Sequence, residues 1–271
     1  MSEMQQPPFY RSNLDVQLWW VTATLISINV GLYLWQIAVG VNPSQPGIDA
    51  ALAWGADFAP LTFLSEPARL FTSMFFHFGF LHLALNMWAL YIFGSLAEQI
   101  FGRFYFLGLY ICCGLAGSLL SGWLNIHHSY LYLETANTAL LPSVNAGASG
   151  AIMGLGSALT VLSLFPNLPN VPFVLVKRSL LLIMGINLTL GMLIPNINNA
   201  AHLGGAIMGV VQSLIWYRCT VHGRNTLGSL LGLGVGIALL IASYLYCQHL
   251  VQAGLLPLWH LILKQFDMPP A

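Results

Sequence analysis

The chain has 271 residues, of which 57% are hydrophobic and only 6% charged, and its formal net charge is zero. So few charges cannot solvate a globular surface of this size, and Lys and Arg fall singly or as the pair Lys177-Arg178, with no basic patch for phosphate backbones. A soluble domain and a nucleic-acid partner are both excluded; with a mean hydropathy of +0.76 the chain reads as an all-α polytopic membrane protein in contact with the lipid bilayer.

In chain order, residues 1–17 form an N-terminal tail containing Arg11 that leads into an apolar run too long for a signal-peptide core, so an uncleaved anchor is expected. Span 1 covers 18–39 and ends at Asn42-Pro43-Ser44-Gln45-Pro46-Gly47. Residues 48–77 mix Trp54, Phe58, Phe63 and Phe71 with Asp49, Asp57, Glu66 and Arg69 and are broken by Pro60 and Pro67, the pattern of an interfacial segment. Span 2 is expected at 80–100 and span 3 at 104–123, followed by a polar loop with Asn125, His127, His128 and Glu134. Span 4, 149–165, stops at Pro166 and is short for a ~30 Å hydrocarbon core, so one end lies below the membrane surface. Spans 5, 6 and 7 follow at 179–194, 200–217 and 227–246, and the apolar tail at 255–263 is too short for an eighth. The four cysteines give no disulfide framework or CxxC pair.

Orientation follows from the cations. With the N-terminus cytoplasmic, Arg11, Arg103, Lys177, Arg178, Arg218 and Arg224 are inside and only Arg69 and Lys264 outside. Spans 2, 4 and 6 then all enter from the outer side, which brings His82, Asn86, Ser149 and His202 to one depth. A single intramembrane Ser is usually a packing residue, but four polar groups at one depth in hydrocarbon are costly and point to a site.

A serine hydroxyl needs a base within hydrogen-bond reach, and neutral imidazole serves near pH 7, so Ser149 pairs with His202. Gly205 and Gly209 form a GxxxG face on span 6, matched by Gly150, Gly154 and Ala158 on span 4, and two such faces let helices approach closely. No Asp or Glu lies between Ser149 and His202, so catalysis rests on a dyad. His82 and Asn86, spaced i, i+4, share a helical face and, with backbone N–H groups near Ser149, form an oxyanion site. Activity is expected to fall as His202 takes up a proton. His77 and His82 lie five apart, about 140° around a helix, and no HExxH occurs, so neither metal nor cofactor is expected. The string Gly147-Ala148-Ser149-Gly150-Ala151 is not a GxSxG elbow.

These residues carry a family likeness: the sequence resembles the rhomboid intramembrane serine proteases. The resemblance rests on GxSG at Gly147, Ser149 and Gly150, on HxxxxHxxxN at His77, His82 and Asn86, and on AHxxGxxxG at Ala201, His202, Gly205 and Gly209. Glu66, Arg69, Leu70, Thr72 and Phe75 resemble the segment before span 2, and Glu98, Gly102 and Arg103 the turn after it.

The resemblance implies a six-helix core at 18–217 with an interfacial first loop at about 40–77, a linker and seventh helix at 218–247, and a tail at 248–271. It further implies a Ser149–His202 dyad in a water-filled cavity, oxyanion help from His82 and Asn86, and supporting roles for Gly147, Gly150, His77 and Met153. The expected reaction is hydrolysis of peptide bonds in or beside transmembrane segments of single-span or polytopic membrane proteins, in a bacterial cytoplasmic (inner) membrane with the C-terminus outside. The alternative is a non-catalytic rhomboid-like protein that binds transmembrane helices. Two positions depart from the family pattern: Ala68, where many members have Trp, and Met153, where an aromatic often packs on the histidine. Span 5, with Asn187 and Thr189, is the expected moving gate.

Overall fold

A computed structural model of the chain describes residues 16–165, 175, 177–193 and 199–266; Arg11 and most of the N-terminal tail, Pro166, Ile194 and Asp267 lie outside them. The described residues form long helices joined by short helical loops, with no strand beyond an isolated bridge between Asp57 and Asn145.

The helices that carry the fold are α1 (Trp20–Ala38), α5 (Phe80–Phe101), α6 (Arg103–Thr135), α7 (Ser149–Leu162), α8 (Lys177–Leu193), α9 (Asn199–Thr220) and α10 (Asn225–Leu250). Between α1 and α5 lie α2 (Ile48–Ala53), α3 (Ala59–Leu64) and α4 (Arg69–Thr72), and α11 (Leu256–Gln265) closes the chain. Helices α1, α5, α6 and α10 are each long and apolar enough to cross a bilayer, whereas α7 and α8 are apolar but shorter. Helix α9 is long enough at 22 residues but less apolar, because its glycine and polar positions Gly205, Gly209, Gln212 and Ser213 face the interior.

Helix α1 is tied to α5 through its own N-terminus. The first N–H groups of a helix have no intrahelical partner, and a carboxylate there meets both the orphan donors and the helix dipole. Buried Glu98, near the end of α5, accepts from Val21 N (3.1 Å), Thr22 N (2.8 Å) and Thr22 Oγ1 (2.9 Å). Gly102, with φ of +77°, is the one residue between α5 and α6, a conformation that favours glycine and turns the chain back at once.

Helix α6 corrects the sequence reading of a polar loop after residue 123. It continues to Thr135, 33 residues in all, or about 50 Å at ~1.5 Å per residue, well beyond a ~30 Å core. No Gly or Pro interrupts 123–135, and the polar residues there have helix-compatible partners. Ser129 Oγ donates to Asn125 O (2.8 Å), and Asn125 Nδ2 to Ser121 O (3.0 Å). This projecting end gives the loops something to dock on. Trp259 of α11, fully buried, donates from Nε1 to Ser129 Oγ (3.1 Å), and Phe266 meets Phe58 edge to face. The apolar tail is thus a ten-residue docking helix.

The first loop is held by Arg69, which is buried and donates from Nη1 to Leu52 O (2.8 Å) and Ala56 O (2.9 Å) while pairing with Glu66 at 2.9 Å. Ala68 does not prevent this anchoring. Helix α7 sits innermost: from Gly150 to Leu159 every residue is buried, against α5, α6, α8 and α9. On α9, a Cβ added at Gly205 would overlap the Gly150 carbonyl and one at Gly209 the Gly154 carbonyl, so the two glycine faces do permit backbone contact. Helix α10 lies outermost and docks by Gly228, Gly232 and Gly236 against Trp216, Tyr105 and Gln212.

Candidate active site

Ser149 is the first residue of α7 and His202 lies in the first turn of α9. The glycine contacts between these helices bring Ser149 Oγ within 2.8 Å of His202 Nε2. With a neutral imidazole protonated at Nδ1, the hydroxyl donates and Nε2 accepts. His202 is buried, and its Nδ1 has no hydrogen-bond partner among the described residues.

The loop entering α7 is pinned at successive points. Asn145 and Asp57 exchange backbone hydrogen bonds of 2.8 Å each way, Asn145 Nδ2 donates to Ser121 Oγ (2.9 Å), and Gly147 N donates to Ser73 O (2.9 Å). Gly147 has φ of +123°, and a Cβ there would lie 2.9 Å from both Cε1 and Nε2 of His82. Only glycine fits that position on both counts.

His82, in the first turn of α5, accepts from Phe78 N at Nδ1 (3.3 Å). Its other nitrogen, Nε2, therefore carries the proton and is buried with no partner among the described residues; the residue lines a cavity of about 30 Å³ that Ser149 also lines. That volume suits about one water, and Ser73, Ser118, Ser121 and Asn145 supply its polar walls. Ser73, Ser118 and Ser121 escaped sequence reading because isolated serines in apolar helices look like packing residues.

His77 precedes α5 and stands edge-on to His82, ring centroids 5.2 Å apart. Burial, and then the neighbouring His82, hold its pKa well below the ordinary imidazole range, so it is a neutral ring. Asn86 is buried but is not among the residues lining the cavity, and its Nδ2 donates to its own helix at His82 O (2.9 Å). Met153 is buried one turn into α7, and Gly150 lies against the Ala201 carbonyl beside His202. Asp57 is a buried acid beside the loop that enters α7; burial raises its pKa to about 6, against the opposing effects of the Thr62 hydroxyl and Arg69.

The family model for the Rhomboid domain matches residues 64–219, a segment that holds every one of these residues except Asp57 and Thr62. The chain belongs to the rhomboid family. This rhomboid is 31% identical over 227 residues to Rhomboid protease AarA of Providencia stuartii, covering 80% of each chain. It is 29% identical over 204 residues to Rhomboid protease GluP of Bacillus subtilis, covering 74% of this chain and 36% of that one. To RHOMBOID-like protein 6, mitochondrial, of Arabidopsis thaliana it is 38% identical over 153 residues, covering 56% of this chain and 44% of that one.

Proposed function

We propose that this rhomboid is an intramembrane serine endopeptidase in which Ser149 is the nucleophile and His202 the general base. The observation that carries the proposal is the 2.8 Å contact between Ser149 Oγ and His202 Nε2 at the start of two tightly packed helices. Kinship with proteins named rhomboid proteases supports the same reading.

The chemistry follows from the atoms present. Ser149 Oγ attacks the scissile carbonyl carbon while its proton passes to His202 Nε2, and the carbonyl oxygen takes up the negative charge. His82, with its proton on Nε2, lines the same cavity, and α7 begins there with N–H groups that the side chain of its N-cap, Ala148, cannot satisfy. Both are donors for the oxyanion. His202 then returns its proton to the leaving amine, the C–N bond breaks, and an acyl-enzyme remains. A water that gives its proton to His202 hydrolyses that ester and restores Ser149. Asn86 donates one amide hydrogen to His82 O, which fixes the His82 turn, and its second amide hydrogen is a further donor for the oxyanion. His77 packs on the His82 ring, while Gly147, Gly150 and Met153 support the nucleophile's turn.

The substrates are single-span or polytopic membrane proteins. A transmembrane helix protects its peptide bonds by its own hydrogen bonds, so segments with Gly, Ala, Ser or Pro near the cleavage point are preferred. The asymmetry of the cations assigns the enzyme a cytoplasmic N-terminus, with the dyad near the outer face of a bacterial cytoplasmic membrane and the C-terminus outside. Residues 18–217 are the six-helix catalytic core, and 218–247 add a seventh helix.

The test is co-expression with a tagged single-span membrane protein. The wild-type chain is expected to cleave it while Ser149→Ala and His202→Ala do not; equal cleavage by all three overturns the proposal. Labelling of Ser149 by a serine-reactive fluorophosphonate separates this reading from a non-catalytic helix-binding protein.

A further inference from the structure

Two carboxyls are buried among the described residues, and the fold treats them differently. Glu98 accepts from Val21 N, Thr22 N and Thr22 Oγ1, and Arg103 stands 3.9 Å away. Asp57 is 1% exposed, yet its carboxyl accepts from one donor among the described residues, Thr62 Oγ1 at 2.6 Å. The groups packed around it supply no free counter-charge. Arg69 of α4 acts on it, but Nη1 of that guanidinium serves Leu52 O and Ala56 O, while Nε and Nη2 serve Glu66, which neutralises it. Cys247 of α10 brings an uncharged thiol, directed at Leu119 O, and Phe266 of α11 lies edge-on to Phe58. A buried carboxylate without a paired charge is costly, so this surrounding favours the neutral acid.

The backbone of Asp57 ties it to the nucleophile. Asp57 and Asn145 form the one strand-like pairing among the described residues, exchanging N–H to C=O bonds of 2.8 Å each way. Asn145 lies four residues before Ser149, and three residues, Ala146, Gly147 and Ala148, join the pairing to the first residue of α7. Gly147 has no slack to absorb a shift: its N donates to Ser73 O and its α-carbon abuts the His82 ring so closely that a Cβ would not fit. Displacement at Asn145 is therefore passed on to Ser149 and to its contact with His82.

Ionisation of Asp57 would leave an anion with a single donor. The least costly relief is hydration of residues 56–58, which breaks the bonds to Asn145. With the carboxyl of the opened segment at the ordinary 3.8 and that of the closed one at about 6, full ionisation favours opening about 10²-fold more than the neutral acid does. The pairing is thus fully held below pH 3.8, weakens as pH rises through about 6, and changes no further above it.

We propose that Asp57 is a positioning residue for Ser149 and a proton switch: its neutral carboxyl keeps the loop at Asn145 paired and the nucleophile in register, and its carboxylate releases both. The effect on catalysis rests on the proteolytic reading, whereas the opening of the pairing does not.

The experiment compares the full-length wild type with Asp57→Asn, which keeps an acceptor for Thr62 and cannot ionise. Hydrogen–deuterium exchange in the peptide holding Asn145, compared between the two proteins at the same pH, reads the pairing without recourse to activity. The kcat on a transmembrane substrate reads its consequence. The two proteins are expected to agree at pH 5; at pH 8 the wild type should exchange faster at Asn145 and cleave about tenfold more slowly, with a midpoint near 6. Protonation of His202 on the acid side acts on both proteins alike. Thr62→Val serves should Asp57→Asn fold poorly: it removes the one donor that favours the carboxylate, so the fall in kcat moves to higher pH. Faster exchange at pH 8 in a protein that cleaves at no pH supports the switch and overturns the proteolytic reading instead. Equal exchange of the two proteins at pH 8, or an active wild type whose kcat profile is that of Asp57→Asn, overturns the proposal.

Discussion

Gly117, on α6, offers the sharpest test of how backbone packing sets the dyad. A Cβ there would sit 2.6 Å from the carbonyl oxygen of Ala201, the residue before His202, about 0.8 Å short of the 3.4 Å at which ordinary contact begins. Gly150 lies against the same carbonyl, so an alanine at 117 presses on the point where α6, α7 and α9 meet. The obstacle is backbone, which cannot rotate away, so the first turn of α9 must shift by most of that distance and take His202 with it. A displacement approaching 1 Å in a catalytic pair costs on the order of 10²-fold in rate, and overpacking of this kind costs about 1–3 kcal/mol of stability. Initial cleavage rates of Gly117→Ala on a transmembrane substrate should therefore show kcat down by about two orders of magnitude with KM little changed. Gly108→Ala is the control: its Cβ would meet only the Leu233 side chain on the peripheral α10. A folded Gly117→Ala with wild-type kcat would refute the claim that this approach positions His202.

The remaining predictions concern stability. Glu98→Gln leaves one carbonyl oxygen where two carboxylate oxygens now serve Val21 and Thr22, and is expected to destabilise the fold by about 2 kcal/mol in thermal unfolding. Trp259→Phe removes the hydrogen bond to Ser129 and should lower stability by about 1 kcal/mol, while leaving the ring packing of α11 in place. For Asp57, the folded pKa of about 6 lies above the ordinary 3.8, so the folded state holds a proton that the unfolded chain releases between these values. Stability should fall by about 2 kcal/mol as pH rises from 4 to 6, out of about 3 kcal/mol in all from well below 3.8 to well above 6, and then level off. Asp57→Asn keeps an acceptor for the Thr62 hydroxyl and should flatten that fall; an unchanged profile in unfolding curves would remove Asp57 as its source.

Much of the candidate site was legible because it is carried by residues whose chemistry is unusual in a bilayer. Ser149, His202 and His82 stand out against apolar neighbours, and the Gly205/Gly209 and Gly150/Gly154 spacings disclosed the helix contact that joins them. The ends of α1, α5, α8 and α9 lie within a few residues of the hydropathy changes. The C-terminal third of α6 was misread for a physical reason: hydropathy reports where lipid ends, not where a helix ends. Asn125 and Ser129 are polar because Asn125 meets the loop at Ser143 and Ser129 meets α11, not because the backbone turns there. The role of Gly117 was equally hidden, since a single glycine in an apolar run gives no sign of which backbone it faces. Asn86 shows the limit of spacing arguments: sharing a face with His82 does not disclose that its amide bonds back to the His82 carbonyl of its own helix.

Helix α7 has a further consequence for how the molecule is made. At 14 residues, about 21 Å, it is too short to span a ~30 Å core alone, and its glycines expose backbone on the side later covered by α9. A nascent chain that stops before α9 leaves that backbone facing lipid, so α7 settles only as α9 arrives. Since α9 also brings His202, a half-made chain holds Ser149 without its hydrogen-bond partner, and the pair forms as α7 and α9 pack together, before α10 is added.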